Sequence, residues 1–142
     1  MALRAFDEVV LGEELPARSV RLTRGDLVNF AGVTGDPNPI HWHDGMADMV
    51  GLPGVVAHGM LTMGIGGGYV TDWLGDPGAI RSYKVRFTSF VRVDADTAAE
   101  IEYRGRVASV DAETRTAVIA LEAKFDGKRI FGRATATVQL SQ

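Results

Sequence analysis

The chain has no cysteine, so disulfide bridges, thiolate metal sites and a cysteine nucleophile are all excluded. Nor does it have an excess of basic residues. Fifteen Lys and Arg stand against 18 Asp and Glu, for a formal charge of −3, which gives no sign of nucleic-acid binding, where a basic face is expected. A long apolar run is missing too. The most apolar stretch, residues 55–70, is interrupted by His58 and five glycines and falls short of the roughly 20 residues that cross a bilayer. Near the start, Asp7 and Glu8 stand where a secretory signal would need an unbroken apolar segment. A cytoplasmic protein without membrane insertion is therefore expected.

What remains is an ordinary globular composition. The 142 residues are 46% hydrophobic and 23% charged, which suits one domain over residues 1–142 with a core that needs no staples. No repeat, linker or low-complexity tract divides it. The coarse pattern is a helical first half followed by a strand-rich second half, which points to an α+β domain.

Val20-Arg21-Leu22 reads as a short strand. Thr23 as N-cap and Asp26 three residues on form a variant capping box, and Leu27, Phe30 and Ala31 recur at helical spacing for about three turns. Gly35 ends that helix. Pro37 and Pro39 forbid helix and hold Asp36 and Asn38 in extended or turn geometry. A short helix over residues 44–50 is expected to stop at Gly51, with a turn at Pro53-Gly54, and His43 is expected to cap or precede it. A second helix is expected from Gly59 to Trp73, then a turn at Gly75-Asp76-Pro77-Gly78. Four alternating runs follow, Tyr83 to Phe87, Ala99 to Tyr103, Ala117 to Leu121 and Ile130 to Leu140. Hairpin turns belong at Asp111 to Thr114 and at Asp126-Gly127. Four strands after one apolar helix fit a curved antiparallel sheet wrapped around that helix.

The residues that carry chemistry are Asp36 and His41, five apart on a segment stiffened by two prolines. Histidine titrates near neutral pH, a carboxylate can orient a water beside it, and a rigid loop fixes their separation. An isolated Asp and His would more simply be a turn residue and a packing residue. The context is a helix start at Val55-Val56-Ala57-His58-Gly59-Met60-Leu61. A helix N-terminus offers unpaired N–H groups to an oxygen gaining negative charge, and Gly59 lets a ligand approach that backbone. For His58 itself, capping or packing is the expected role.

The run Gly35-Asp36-Pro37-Asn38-Pro39-Ile40-His41, followed by Val56-Ala57-His58-Gly59-Met60, resembles the signature of the MaoC-like, R-specific enoyl hydratases and dehydratases. Within them, the likeness is closer to the B subunit of the mycobacterial-type (3R)-hydroxyacyl-ACP dehydratase of type II, long-chain fatty-acid synthesis. It runs through nearly the whole chain, including residues 22–32 and 58–71. The resemblance implies a hot-dog fold, assembled as a dimer whose two sheets join edge to edge. It assigns Asp36 and His41 to the catalytic water and to proton movement at C2 and C3, Asn38 to bracing the loop, and the Gly59 N–H to the thioester carbonyl. A serine common on the central helix of these hydratases aligns with Gly67, and a proline of the following strand with Phe90.

Two rival patterns are weaker. Gly64-Ile65-Gly66-Gly67-Gly68-Tyr69 fails the dinucleotide pattern, because Tyr69 stands where the last glycine belongs. Its glycines suit close packing against the sheet or a wall thin enough for an acyl chain to lie alongside. His41, His43 and His58 with Asp36 and Asp44 lack a spacing typical of one metal class. No metal or redox cofactor is expected, since a thioester already acidifies C2. Lys84, Arg86 and Arg92 are expected to share one strand face, a solvated one or, with Arg81, one that meets an acidic acyl carrier protein or coenzyme A phosphates. The partner expected is a second hot-dog subunit in a heterodimer, with a homodimer as the alternative. A homodimeric (R)-specific enoyl-CoA hydratase of fatty-acid degradation or polyester supply, a non-catalytic acyl-binding subunit and a thioesterase are the competing functions.

Overall fold

The computed structural model describes residues 3–142; Met1 and Ala2, part of the acid-bearing start considered above, lie outside the described residues. The chain runs β1 (Glu14–Leu22), α1 (Arg24–Thr34), α2 (Asp44–Met49), α3 (Gly59–Leu74), β2 (Ile80–Phe87), β3 (Ala99–Asp111), β4 (Thr116–Phe125), β5 (Lys128–Arg129) and β6 (Phe131–Gln139). The strands form one antiparallel sheet in the order β1-β3-β4-β6-β2, with β5 paired to β4. This is the helix-wrapping antiparallel sheet that the sequence led us to expect.

Alternation along β3 and β4 explains the wrap. Ala99, Ile101, Tyr103, Gly105 and Val107 are buried on one strand, and Ala117, Ile119, Leu121 and Ala123 on the next, while the residues between them face out. That buried face receives α3 through Thr62, Gly66, Tyr69, Val70 and Leu74, which fall on one side of the helix. Fully burying a Leu, Ile or Val of this core contributes about 1.5–3 kcal/mol each.

The glycines of α3 are the counterpart of two tyrosines. A side chain at Gly66 would meet the Tyr83 hydroxyl at 2.6 Å and Tyr103 at 3.4 Å, and one at Gly67 would meet the Tyr83 ring at 3.3 Å. The tyrosines use that closeness. Tyr103 donates to the Thr62 carbonyl at 2.9 Å and Tyr83 to the Met63 carbonyl at 2.8 Å, tying the first turns of α3 to β3 and β2. Burial pushes both phenols well above their ordinary range.

Local signals behave as their chemistry dictates, with exceptions. The Thr23–Asp26 capping box is complete in both directions and Gly35 closes α1 at φ +70°. His43 caps α2 by accepting from the Met46 N–H. Asp111 accepts from the Glu113 and Thr114 N–H groups, and Asp126 and Gly127 turn the next hairpin at positive φ. Three expectations need correction. The first strand is not confined to Val20-Arg21-Leu22 but begins at Glu14, with a register shift between Leu15 and Arg18 that breaks its alternation. Pro39 does not exclude helix: it opens a 3₁₀ turn over Pro39–His41, where a proline at the first position loses no hydrogen bond. Arg92 does not share the face of Lys84 and Arg86, because β2 ends at Phe87 and the segment around Val91 bonds to Ala57 and Val55 instead.

Candidate active site

Asp36 follows the glycine that ends α1, in a loop folded on its own side chains. The Asp36 carboxylate accepts from the Asn38 N–H at 3.3 Å, and the Asn38 side chain accepts from the Ile40 N–H at 3.2 Å. Trp42 closes the loop by donating from its indole N–H to the Pro37 carbonyl at 2.9 Å. These bonds carry the chain through one 3₁₀ turn, so that His41 enters the interior at 8% exposure while Asp36 stays at the surface.

His41 is held from two sides. Its Nδ1 lies 2.6 Å from the Val56 carbonyl. A carbonyl only accepts, so Nδ1 carries the proton and Nε2 is left as the basic atom. Its ring lies on the ring of His58, with centroids 3.6 Å apart and planes inclined by 22°. His58 is 2% exposed and meets Phe30 edge-on from its other side at 4.8 Å. Its Nε2 lies 3.3 Å from the Asp36 carbonyl, to which it donates. Burial, and then the facing His41 ring, hold the His58 imidazole below its ordinary range, so it stays neutral.

One nitrogen of each ring and a carboxylate oxygen of Asp36 lie within 4.8 Å of one another. His43 and Asp44, grouped with them as possible metal ligands, are engaged elsewhere: His43 caps α2 and Asp44 is bound by Arg24. Metal ligands must converge on a single point. Rings stacked 3.6 Å apart with planes inclined by 22° keep their lone pairs in two separate, nearly parallel planes, which does not aim both at one point.

Gly59 follows His58 directly and opens α3. Among the described residues its N–H meets no acceptor, so the positive end of a sixteen-residue helix begins beside the stacked pair. The side-chain position of Gly59 is filled by the ring of Phe87, 3.2 Å from where a Cβ would stand. The glycine thus fits the Phe87 ring closely, and any Cβ there needs that ring to give by a few tenths of an ångström. A side chain at Gly67 would stand 3.3 Å from the Tyr83 ring, so a larger residue there needs that ring to shift by a few tenths of an ångström. Lys84 and Arg86 do stand on the outer face of the sheet, opposite Thr135 and Arg133, and the two arginines face each other without a carboxylate partner among the described residues. Arg92 pairs with Asp94.

Sequence reasoning missed the part His58 plays. It caps nothing with its side chain; it packs, but against His41 and Asp36. The signal that could have found it is its place one residue before the helix-opening glycine.

A family model described as MaoC like domain matches residues 8–124. A 3-hydroxyacyl-thioester dehydratase X of Mycobacterium tuberculosis is 45% identical over 47 residues, covering 33% of this chain and 17% of the relative. A 3-hydroxybutyryl-CoA dehydratase of Methylorubrum extorquens is 32% identical over 100 residues, covering 70% of this chain and 61% of the relative. A solved structure named MaoC-like dehydratase shares 51% identity at a TM-score of 0.96, covering 98% of this chain and 43% of its own. This chain therefore spans less than two thirds of each of these relatives, and less than half of the solved one. The match over residues 8–124, a sheet wrapped on α3 and the Asp36–His41 loop agree: the chain is a MaoC-like domain with the hot-dog fold.

Proposed function

We propose that the chain interconverts a trans-2-enoyl thioester and a (3R)-hydroxyacyl thioester by adding or removing water. The observation that carries this reading is the convergence of the Asp36 carboxylate and the His41 ring within 4.8 Å, at the start of α3 where the Gly59 N–H meets no acceptor among the described residues. In the hydration direction the Asp36 carboxylate takes a proton from water, and the water oxygen bonds to C3. The negative charge passed to the thioester oxygen is met by the Gly59 N–H and the N-terminus of α3. His41, protonated at Nε2 while Nδ1–H stays on Val56, gives its proton to C2. Transfer of the proton from Asp36 back to His41 resets the pair, which holds one transferable proton before and after each turnover and two while the enolate awaits its proton at C2. Dehydration is the reverse path.

The finer assignment we propose is the catalytic subunit of a (3R)-hydroxyacyl dehydratase of fatty-acid synthesis, acting in the cytoplasm on acyl carrier protein or coenzyme A thioesters. Names of relatives such as 3-hydroxyacyl-thioester dehydratase support the chemistry. For the partner we propose a second hot-dog subunit. Two observations support it: a relative 51% identical whose chain is more than twice the matched length, and Met60, Phe87 and Phe90 standing 63%, 44% and 60% exposed around the start of α3 and the end of β2. The test is loss of enoyl absorbance when short and long trans-2-enoyl-CoA meet the purified chain, alone and co-expressed with a second hot-dog chain. Turnover with or without the partner supports the reading. Thiol release without change in the enoyl band supports a thioesterase instead.

A further inference from the structure

His58 presents an energetic puzzle. It is a polar ring at 2% exposure whose Nδ1 is buried and receives no hydrogen bond from the protein. A buried polar atom left without a partner costs stability, and its one bond, Nε2–H to the Asp36 carbonyl, is long at 3.3 Å. A phenylalanine would fill the same flat slot between Phe30 and His41 without the orphan. Packing alone therefore does not favour histidine here.

What histidine does provide is a link among three separate pieces of the site. Its ring stacks on His41. Its Nε2–H holds the backbone of Asp36. Its own backbone leads directly into Gly59. Phe30, from α1, presses it into this position from behind. No other described side chain touches both the loop that carries Asp36 and the ring of His41 while standing next to Gly59 in the chain.

We propose that His58 is a positioning residue for the reaction, holding the ring plane of His41 and the backbone of Asp36 in the geometry that proton transfer needs. It touches neither C2 nor C3 and moves no proton itself. The inference rests on the proposed roles of Asp36 and His41, and the experiment separates the two. His58→Phe keeps a flat ring against His41 and removes both the orphan nitrogen and the bond to Asp36. His58→Gln keeps an N–H donor and removes the stack. We expect each variant to lower kcat by about 10- to 100-fold, the loss that a misplacement near 1 Å produces, with KM within threefold. His58→Phe should at the same time melt at or above the wild-type temperature.

Stability held or raised while turnover falls is a pattern that a merely structural residue does not give. Long-range nitrogen–proton spectra of the His41 ring supply the second readout. The wild type should display one sharp set of ring signals, and His58→Gln a set broadened by motion of the unstacked ring. The proposal is overturned if folded His58→Phe and His58→Gln both turn over within twofold of wild type, or if the His41 ring signals are as sharp in His58→Gln as in the wild type. Full turnover by His41→Ala would instead overturn the underlying roles of Asp36 and His41, and that result is read independently of His58.

Discussion

The ring of His41 lies on the ring of His58, centroids 3.6 Å apart, although 16 residues separate them and each is fixed by a different backbone carbonyl. Val56 holds the first and Asp36 the second, so the loop and the start of α3 are laced together crosswise. Any account of the site must treat the carboxylate, the two rings and the helix start as one unit.

Folding should weaken on the acid side because of His58. Burial and the facing ring of His41 lower its affinity for a proton in the folded chain, while the unfolded chain takes that proton up near pH 6.5. Below this value the unfolded state binds more protons, so stability falls as pH drops through the interval and is fully present above it. The urea midpoint of the wild type should therefore decline more between about pH 7.5 and pH 5.5 than that of His58→Phe. Equal declines would contradict the buried neutral ring. Asp44, Glu102, Asp111 and Glu122, held low by their partners, act at lower pH and are common to both proteins.

Gly66 should be intolerant of even one methyl group. An alanine there meets the Tyr83 hydroxyl at 2.6 Å, and that hydroxyl is tied to the Met63 carbonyl on a stiff ring. Gly66→Ala should cost about 1–3 kcal/mol in urea denaturation. Adding Tyr83→Phe should recover part of the loss, giving a coupling energy in the double-mutant cycle. Gly64→Ala meets nothing within 4 Å and should stabilise the isolated chain by about 0.5–1 kcal/mol. Equal effects at the two glycines would refute the packing argument.

Phe90, 60% exposed, should matter to association and not to folding. Phe90→Asp is expected to leave the melting temperature within a degree or two while weakening sedimentation as a complex with a second hot-dog chain. A complex of unchanged affinity would remove Phe90 from that interface.

Much of this arrangement is legible residue by residue. The Thr23–Asp26 box, the αL glycine at 35 and the Asp126-Gly127 hairpin are local chemistry, and local chemistry is written in neighbouring residues. Strand β1 is harder to read because a register shift follows Leu15 and only Leu15 and Leu22 are fully buried, so period two never establishes itself. Counting in twos past Phe87 puts Arg92 on the face of Lys84, but the strand has already ended there. The surroundings of His58 come from residues 30, 36 and 41 on other segments, and no spacing along the chain announces such a meeting.

The most direct test of the proposed chemistry is trans-2-enoyl-CoA hydration by folded Asp36→Asn and His41→Ala, beside the wild type under the same conditions and with the same partner. Both variants should retain the wild-type circular dichroism spectrum and lose about 10²–10⁴-fold in kcat. Near wild-type turnover in either variant would contradict the assignment of that residue, and in both it would contradict the site.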